Sequence, residues 1–259
     1  METFDYEAMQ IKGSTSQKVN ESLVVEAGLQ ININKEPYTV VMRTPGDDFE
    51  LIRGLLYAED IYKQTEELLL EPVETKENGF CIINASITKK SLGKGYLNKR
   101  TLLSVSSCGI CGKQKLEDIE LSGDSLSSSV SLTTKDLEQL FELMQKKQTV
   151  FHKTGGSHAA SIFDSNKDLL VVKEDIGRHN AVDKAVGALL NQEQLHNAAI
   201  LLVSGRVSYE IISKAFIAKI PIIAAVSACS SLAVDFAKEF GIQLIGFSRD
   251  DNATIYANV

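Results

Sequence analysis

Cysteine is scarce here, with four residues in a chain of 259. So thin a supply does not frame a disulfide scaffold, and in a reducing compartment two neighbouring thiols point to redox, metal-binding or catalytic work. Long hydrophobic runs are missing too. The longest, such as "IPIIAAV" at 220–226, fall far short of the roughly 20 apolar residues that a membrane helix needs. The first ten residues, "METFDYEAMQ", lack the basic start and apolar core of a secretory signal. A cytoplasmic protein with no membrane partner is expected. Nor is there a basic surplus. A net charge of -7 and a pI near 5.2 give no general attraction to nucleic acid or anionic lipid, so nucleic acid is not an expected partner. What the chain does have is bulk: 44% hydrophobic and 24% charged residues can bury a full core in one large domain or two small ones.

Two textures divide the chain, with no internal repeat. Residues 22–44 alternate apolar and polar at period two, broken by Gly28 and by Lys35-Glu36-Pro37, as in an antiparallel meander. After Pro45-Gly46 the spacing of Leu51, Ile52, Leu55 and Leu56 predicts a short helix whose first turn is acidic, as the helix dipole favours. Strands near 80–87 and 101–106 follow, separated by a basic stretch, Lys89 to Arg100, with five basic residues and no acidic one. That stretch reads as a solvated loop or as a docking strip for an acidic partner or phosphorylated ligand. Ser122 to Ser131, with six serines in ten residues, reads as the linker. The expected organisation is a flexible arm over 1–20, a β-rich portion over 21–121, and an α/β domain over 133–259.

Beyond the linker, Leu137, Leu140, Phe141 and Met144 mark a helix over about 134–148, and "AASIFD" and "LLVVKE" flank the turn "SNKD". Three helix and strand units then alternate, with strands "AILLVS", "IIAAVS" and "QLIGFS". Short β-branched runs between helical segments predict an α/β fold: a three-layer α/β/α domain on a largely parallel sheet. Such sheets bind ligands beyond the carboxyl ends of their strands. There the sequence places Asp175 to Asn180, Gly205-Arg206, Ala228 to Ser231, and Arg249 to Asn252. Arg178, Arg206 and Arg249, with small residues and free N–H groups, suit an anionic, phosphorylated ligand, although each loop alone is equally an ordinary turn. Asp175, Asp250 and Asp251 oppose such a ligand unless they pair with arginines or hold sugar or base groups. Arg178 and His179 begin a helix, where a cation is unfavourable unless an anion is near. His158 suits either a phosphate contact or a turn.

"SSCGICG" at 106–112 sets Cys108 and Cys111 three positions apart among glycines. A structural zinc site wants a second close pair, yet Cys81, Cys229 and the four histidines stand alone. The H-x-E and P-C-x-x-C pattern of zinc deaminases is absent, so no metal site is expected. A dithiol oxidoreductase stays open, but Gly109 and Gly112 favour a mobile loop over a helix start. Mobility serves a thiol that visits two partners. Acidity serves it less: a pKa lowered by two raises the thiolate about 25-fold but loses roughly 8-fold in nucleophilicity. Cys81 and Cys229 read as packing residues.

Together, "SSCGICG", "KTGGSHAA" (153–160), "EDIGRHNAVDKAVG" (174–187), "SGRVSYE" (204–210) and "GFSRDDNATIY" (246–256) resemble the formate dehydrogenase accessory sulfurtransferase family, over roughly residues 40–256. The resemblance implies a sulfur carrier between a cysteine desulfurase and the molybdenum (or tungsten) bis(molybdopterin guanine dinucleotide) cofactor of formate dehydrogenase. It implies Cys108 as the persulfide carrier. Cys111 either releases the sulfur or merely shares the loop. Phe247, Ser248, Arg249, Asp250, Asp251 and Asn252 match the family's cofactor-binding stretch, to which the strand-end reading adds Arg178, His179, Gly205, Arg206 and His158. A cytidine-deaminase-like fold without zinc and a homodimer are also implied. A cofactor-holding chaperone and a dithiol oxidoreductase are the alternatives.

Overall fold

The computed structural model describes residues 2–97, 123–249 and 251–258. Where a flexible arm is expected over 1–20, the chain forms a hairpin. β1 (Thr3–Lys12) pairs antiparallel with β2 (Thr15–Val24), from Thr3 opposite Val24 to Lys12 opposite Thr15. The turn uses Gly13 at φ 60°, in the left-handed region open to glycine. A four-stranded sheet follows, built from β3 (Ala27–Ile33), β4 (Glu36–Arg43), β5 (Leu69–Thr75) and β6 (Cys81–Ser86) in the order β4-β3-β6-β5. Asn34 and Lys35 are both left-handed, which closes the β3–β4 hairpin with the twist the strands require. Leu29, Ile31, Ile33 and Ile83 point inward against α1 (Asp48–Ala58), whose Leu51, Ile52, Leu55 and Leu56 are all buried as the spacing predicts. The described part of the basic stretch, through residue 97, docks on the end of α1: Gly93 N donates to Ile61 O and Gly95 N to Asp60 O.

The second half is the predicted three-layer sandwich. α2 (Thr134–Lys147) starts at a capping box between Thr133 and Asp136, and α3 (Thr149–Thr154) follows it. The sheet contains β7 (His158–Phe163), β8 (Leu169–Asp175), β9 (Ile200–Val203), β10 (Ile222–Ala225), β11 (Gln243–Arg249) and β12 (Asn252–Ala257), in the order β12-β11-β10-β9-β7-β8. β9, β10 and β11 pair in parallel, and β8 shares their direction because β7 lies antiparallel to both β8 and β9. Only β7 and β12 run the other way. Between the strands come α4 (Arg178–Asn191), α5 (Tyr209–Ile217) and α6 (Ser231–Phe240). These three cover one face, burying Val182, Leu189, Ile211 and Ala237 against Leu201, Val203, Ile223 and Leu244. α2 covers the other with Leu137, Leu140 and Met144 against Ile200, Leu202 and Ile222. Each central strand is four residues long and wholly buried, which is why its sequence is unbroken apolar rather than alternating. The serine-rich linker, over 123–131, has no regular structure and is tied to α6 by Leu126 N donating to Phe240 O.

The halves meet where α1 crosses α4. A methyl on Gly54 would run into the Asp183 carbonyl, and one on Gly187 into the Glu50 carbonyl, so both glycines exist to let the helices approach. Beside the crossing lies a buried polar knot. Asp175 pairs with Lys184 at 2.8 Å and accepts from Thr44 N at 3.1 Å, while Lys184 also donates to Thr44 O and Asn180 to Met42 O. This knot fixes the end of β8, and with it the start of α4, against the end of β4.

Candidate functional site

Four strands, β8 to β11, deliver their carboxyl ends to one edge of the six-stranded sheet, and antiparallel β7 starts there, with His158 opposite Asp175. Two predicted residues, His158 and Arg178, converge on a third, Gly205, which follows β9 by two positions. A methyl there would come within 3.2 Å of His158 Nδ1 and 3.4 Å of Arg178 Cβ, so the absent side chain makes room for both. Ser204 closes the corner, its Oγ accepting from Ala159 N at 2.9 Å and standing 3.5 Å from His158 Nδ1. Arg206, next along, is exposed.

The electrostatics of this corner are positive. Burial pushes the His158 imidazole below its ordinary value, Arg178 and Arg206 push the same way, and Asp175 opposes them. Asp175 is wholly buried and its oxygens are occupied by Lys184, Thr44 N, Gly177 N and Asn180 Nδ2, so it is not free to pair with the arginines. Arg178 Nε is buried and finds no hydrogen-bond partner among the described residues. A buried donor left so costs about 1–3 kcal/mol. An anion would supply what it lacks.

His179 does not join the corner. It is 4% exposed and turns toward α5, with Nε2 3.2 Å from Ser208 Oγ and 3.9 Å from Glu210 Oε2, where it braces the two helices. The stretch from Phe247 lies farther along the edge, at the turn between β11 and β12. Phe247 is left-handed at φ 50°, 40% exposed, and its N–H donates to Ser227 O at the end of β10. Ser248 is buried, Arg249 is exposed opposite Asn252, and Asp251 is left-handed at φ 58°. The sequence reading ends the sheet at β11 and treats this stretch as a strand-end loop. In fact Asn252 opens β12, so the stretch is a bulged hairpin turn that aims Phe247 and Arg249 outward. Between the two groups lies Cys229, half-buried beneath Gly246, its thiol pushed up to about 11 by burial. Cys81 belongs to the other sheet, beside Arg43 at 3.1 Å. Cys108, Cys111 and Asp250 lie outside the described residues. Among the described residues no group of three or more His, Cys, Asp and Glu side chains gathers in a way that holds a metal. No described helix is long and apolar enough to cross a membrane.

Sequence reasoning missed Ser204, and it missed what Asp175, Asn180 and Lys184 do. A lysine among the apolar residues of "AVDKAVGALL" is the one available signal, because a buried ammonium requires a buried carboxylate.

Fold and site together define an α/β/α protein that gathers cationic and small residues along the carboxyl edge of its sheet, with a second, β-rich lobe clamped to it. Comparisons with known proteins carry this further. A family model described as the FdhD/NarQ family matches residues 24–259. The sulfur carrier protein FdhD of Mycolicibacterium paratuberculosis is 40% identical over 245 residues, covering 91% of this chain and 90% of its own. That of Sulfolobus acidocaldarius is 37% identical, covering 96% and 94%. A crystal structure from Desulfotalea psychrophila, titled as a formate dehydrogenase accessory protein, superposes with a TM-score of 0.75 at 23% identity, covering 99% of this chain and 97% of that one. The chain belongs to the FdhD/NarQ family.

Proposed function

We propose that this protein is a cytoplasmic sulfur carrier, working as a homodimer, that passes persulfide sulfur from a cysteine desulfurase to the molybdenum (or tungsten) bis(molybdopterin guanine dinucleotide) cofactor required by formate dehydrogenase. The observation that carries the reading is the name its relatives bear, sulfur carrier protein FdhD, at about 40% identity along nine-tenths of the chain. In the chemistry proposed, the Cys108 thiolate attacks the outer sulfur of the desulfurase persulfide. Cys108-S-SH forms and the desulfurase thiolate leaves. Release by Cys111 would break the Cys108 S–S bond from the inner sulfur, expelling hydrosulfide and leaving a Cys108–Cys111 disulfide that a dithiol must reduce before the next cycle.

The cofactor is the client, and the strand-end residues suit it. Two cations, Arg178, whose Nε has no partner among the described residues, and Arg206, act on the His158 ring beside Gly205. Phe247 and Arg249, on β11, stand two strands from β9 and its Gly205, roughly 10 Å at the usual strand spacing, and Asn252, on β12, one strand farther. That separation suits a ligand with phosphates at one end and a base at the other. Asp175 does not repel it, because Lys184 matches its charge. In this role the chain's residues bind and orient the nucleotide part of the client while the cysteine segment supplies sulfur.

Intact mass tests the carrier. After incubation with a desulfurase and cysteine, the chain should gain about one sulfur atom, roughly 32 Da, on the Cys108 peptide. Cys108→Ala should lose that gain and the formate dehydrogenase activity of the cell while guanosine diphosphate still binds. Activity that survives the substitution would point to a cofactor-holding chaperone, and a loss of two hydrogens, roughly 2 Da, in place of the sulfur gain to a dithiol oxidoreductase.

A further inference from the structure

One titratable group at the strand-end edge has surroundings that a fixed phosphate contact does not need. His158 opens β7 half-buried, and charged groups face it from three elements: Arg178 from α4, Arg206 from the segment after β9, and Asp175 from β8. Burial is the largest influence that keeps the ring from protonating, Arg178 and Arg206 add to it, and Asp175, paired with Lys184 at 2.8 Å, opposes them. The ring packs against Gly205, where a methyl would come within 3.2 Å of Nδ1. In the empty corner the imidazole is therefore neutral near pH 7. A doubly charged anion seated between the arginines cancels their combined charge, and an anionic oxygen in direct contact with the ring favours its protonated form.

We infer that His158 is the proton-linked contact of this pocket: it takes one proton from solvent when a phosphate group seats between Arg178 and Arg206, and the imidazolium then donates to a phosphate oxygen. This rests on the reading that the pocket holds phosphates of a guanine dinucleotide. Ser204 accommodates both states of the ring. One Oγ lone pair stays with Ala159 N. The hydroxyl donates to a neutral Nδ1, or rotates to accept from Nδ1–H, without any movement of the backbone. The sign of the linkage follows. Because binding consumes a proton, affinity rises as pH falls, by up to about tenfold per pH unit for one proton, between the pKa of the empty pocket and that of the filled one. Outside that window affinity is flat. The consequence for a carrier is that the client is held more tightly where protons are available and released as they leave.

The test uses the full chain. The Cε1 proton of His158 is titrated by NMR in chloride and in sulfate at equal ionic strength, sulfate keeping its double charge between pH 5 and 8. Sulfate should move the His158 midpoint upward and leave His152, His179 and His196 unmoved. Calorimetry of guanosine diphosphate in two buffers of different protonation enthalpy should then show proton uptake at pH 7. His158→Gln should remove that uptake and weaken binding several-fold. Sulfate and nucleotide binding with an unmoved midpoint, or with the same proton count in His158→Gln, would overturn the proton link while leaving the pocket intact. If neither ion binds, the pocket reading fails and this inference fails with it.

Discussion

The two flanks of α4 carry similar residues to opposite ends. On the flank toward α1 and the end of β4, Asn180 and Lys184 are buried, and Lys184 is paired with the equally buried Asp175. Asp183 is likewise buried beside Lys214. At the other flank's first turn, Arg178 keeps a buried Nε without a partner among the described residues, and it acts with Arg206 on the His158 ring. The difference teaches that in this motif charge alone does not mark a binding residue. A cation whose carboxylate stands beside it builds the structure, and a cation whose only neighbours are other cations waits for an anion. The same rule sorts the first lobe, where Arg43 makes a two-point ion pair with Asp48 at 2.8 Å and caps the Ala27 and Gly79 carbonyls, a structural use of a buried arginine.

Removing one charge from each flank should separate these roles. Lys184→Met leaves Asp175 buried with only neutral donors, and such a stranded charge costs about 3–5 kcal/mol. Urea unfolding should show a midpoint far below that of the parent. A midpoint unchanged within error would mean the knot is not what joins the lobes. A smaller effect is expected at the crossing itself. Gly187→Ala gains up to about 1 kcal/mol in helix propensity but forces a methyl against the Glu50 carbonyl, so the helices must part and the net should be a loss of about 1–2 kcal/mol. A stabilised variant would show that α1 and α4 have slack.

These outcomes bear on how much the sequence told. The three-layer domain was legible because buried parallel strands announce themselves: "AILLV" and "IIAA" are apolar without a break and end in small polar residues. The strand-end rule then pointed to Arg178, Gly205 and Arg206 as neighbours. The hairpin of β1 and β2 was not legible, because both its faces meet water and no apolar alternation singles out a core side, with Phe4, Tyr6, Met9 and Ile11 all exposed. β12 was hidden in the same way by its place at the sheet's edge. Adjacent residues at a helix start diverge by about 100°, and so Arg178 keeps to the open corner while His179 turns to Ser208. Only coordinates separate them. Nor can spacing reveal that Asp175 belongs to Thr44, a residue 131 positions earlier.

On the open flank the effect should fall on binding rather than folding. Arg206 is exposed, so Arg206→Gln should leave the stability within about 0.5 kcal/mol of the parent. Loss of one charge-assisted contact at an exposed position should weaken guanosine diphosphate binding about tenfold. A variant that unfolds easily and binds normally would reverse the comparison and make Arg206 structural.

The smallest effect is expected at Cys229, which lies between the two groups of strand-end residues yet does neither job. Burial raises its thiol from an ordinary value near 9 to about 11. At pH 7 only about one molecule in ten thousand carries the thiolate, against about 1% for a thiol at the ordinary value, and the thiolate is the nucleophile. The folded state also holds this proton more tightly than the unfolded chain does. Any stability from that preference is complete below pH 9 and is lost as pH rises through about 11, so nothing should change near neutrality. Cys229→Ala should therefore leave the sulfur gained from a desulfurase unchanged by mass, and iodoacetamide at pH 7 should label the parent at Cys229 far more slowly than a free peptide thiol. Rapid labelling there, or sulfur loading that falls with Cys229→Ala, would make this half-buried thiol a second station for sulfur, and the edge between Arg206 and Phe247 would then be a place of chemistry as well as of grip.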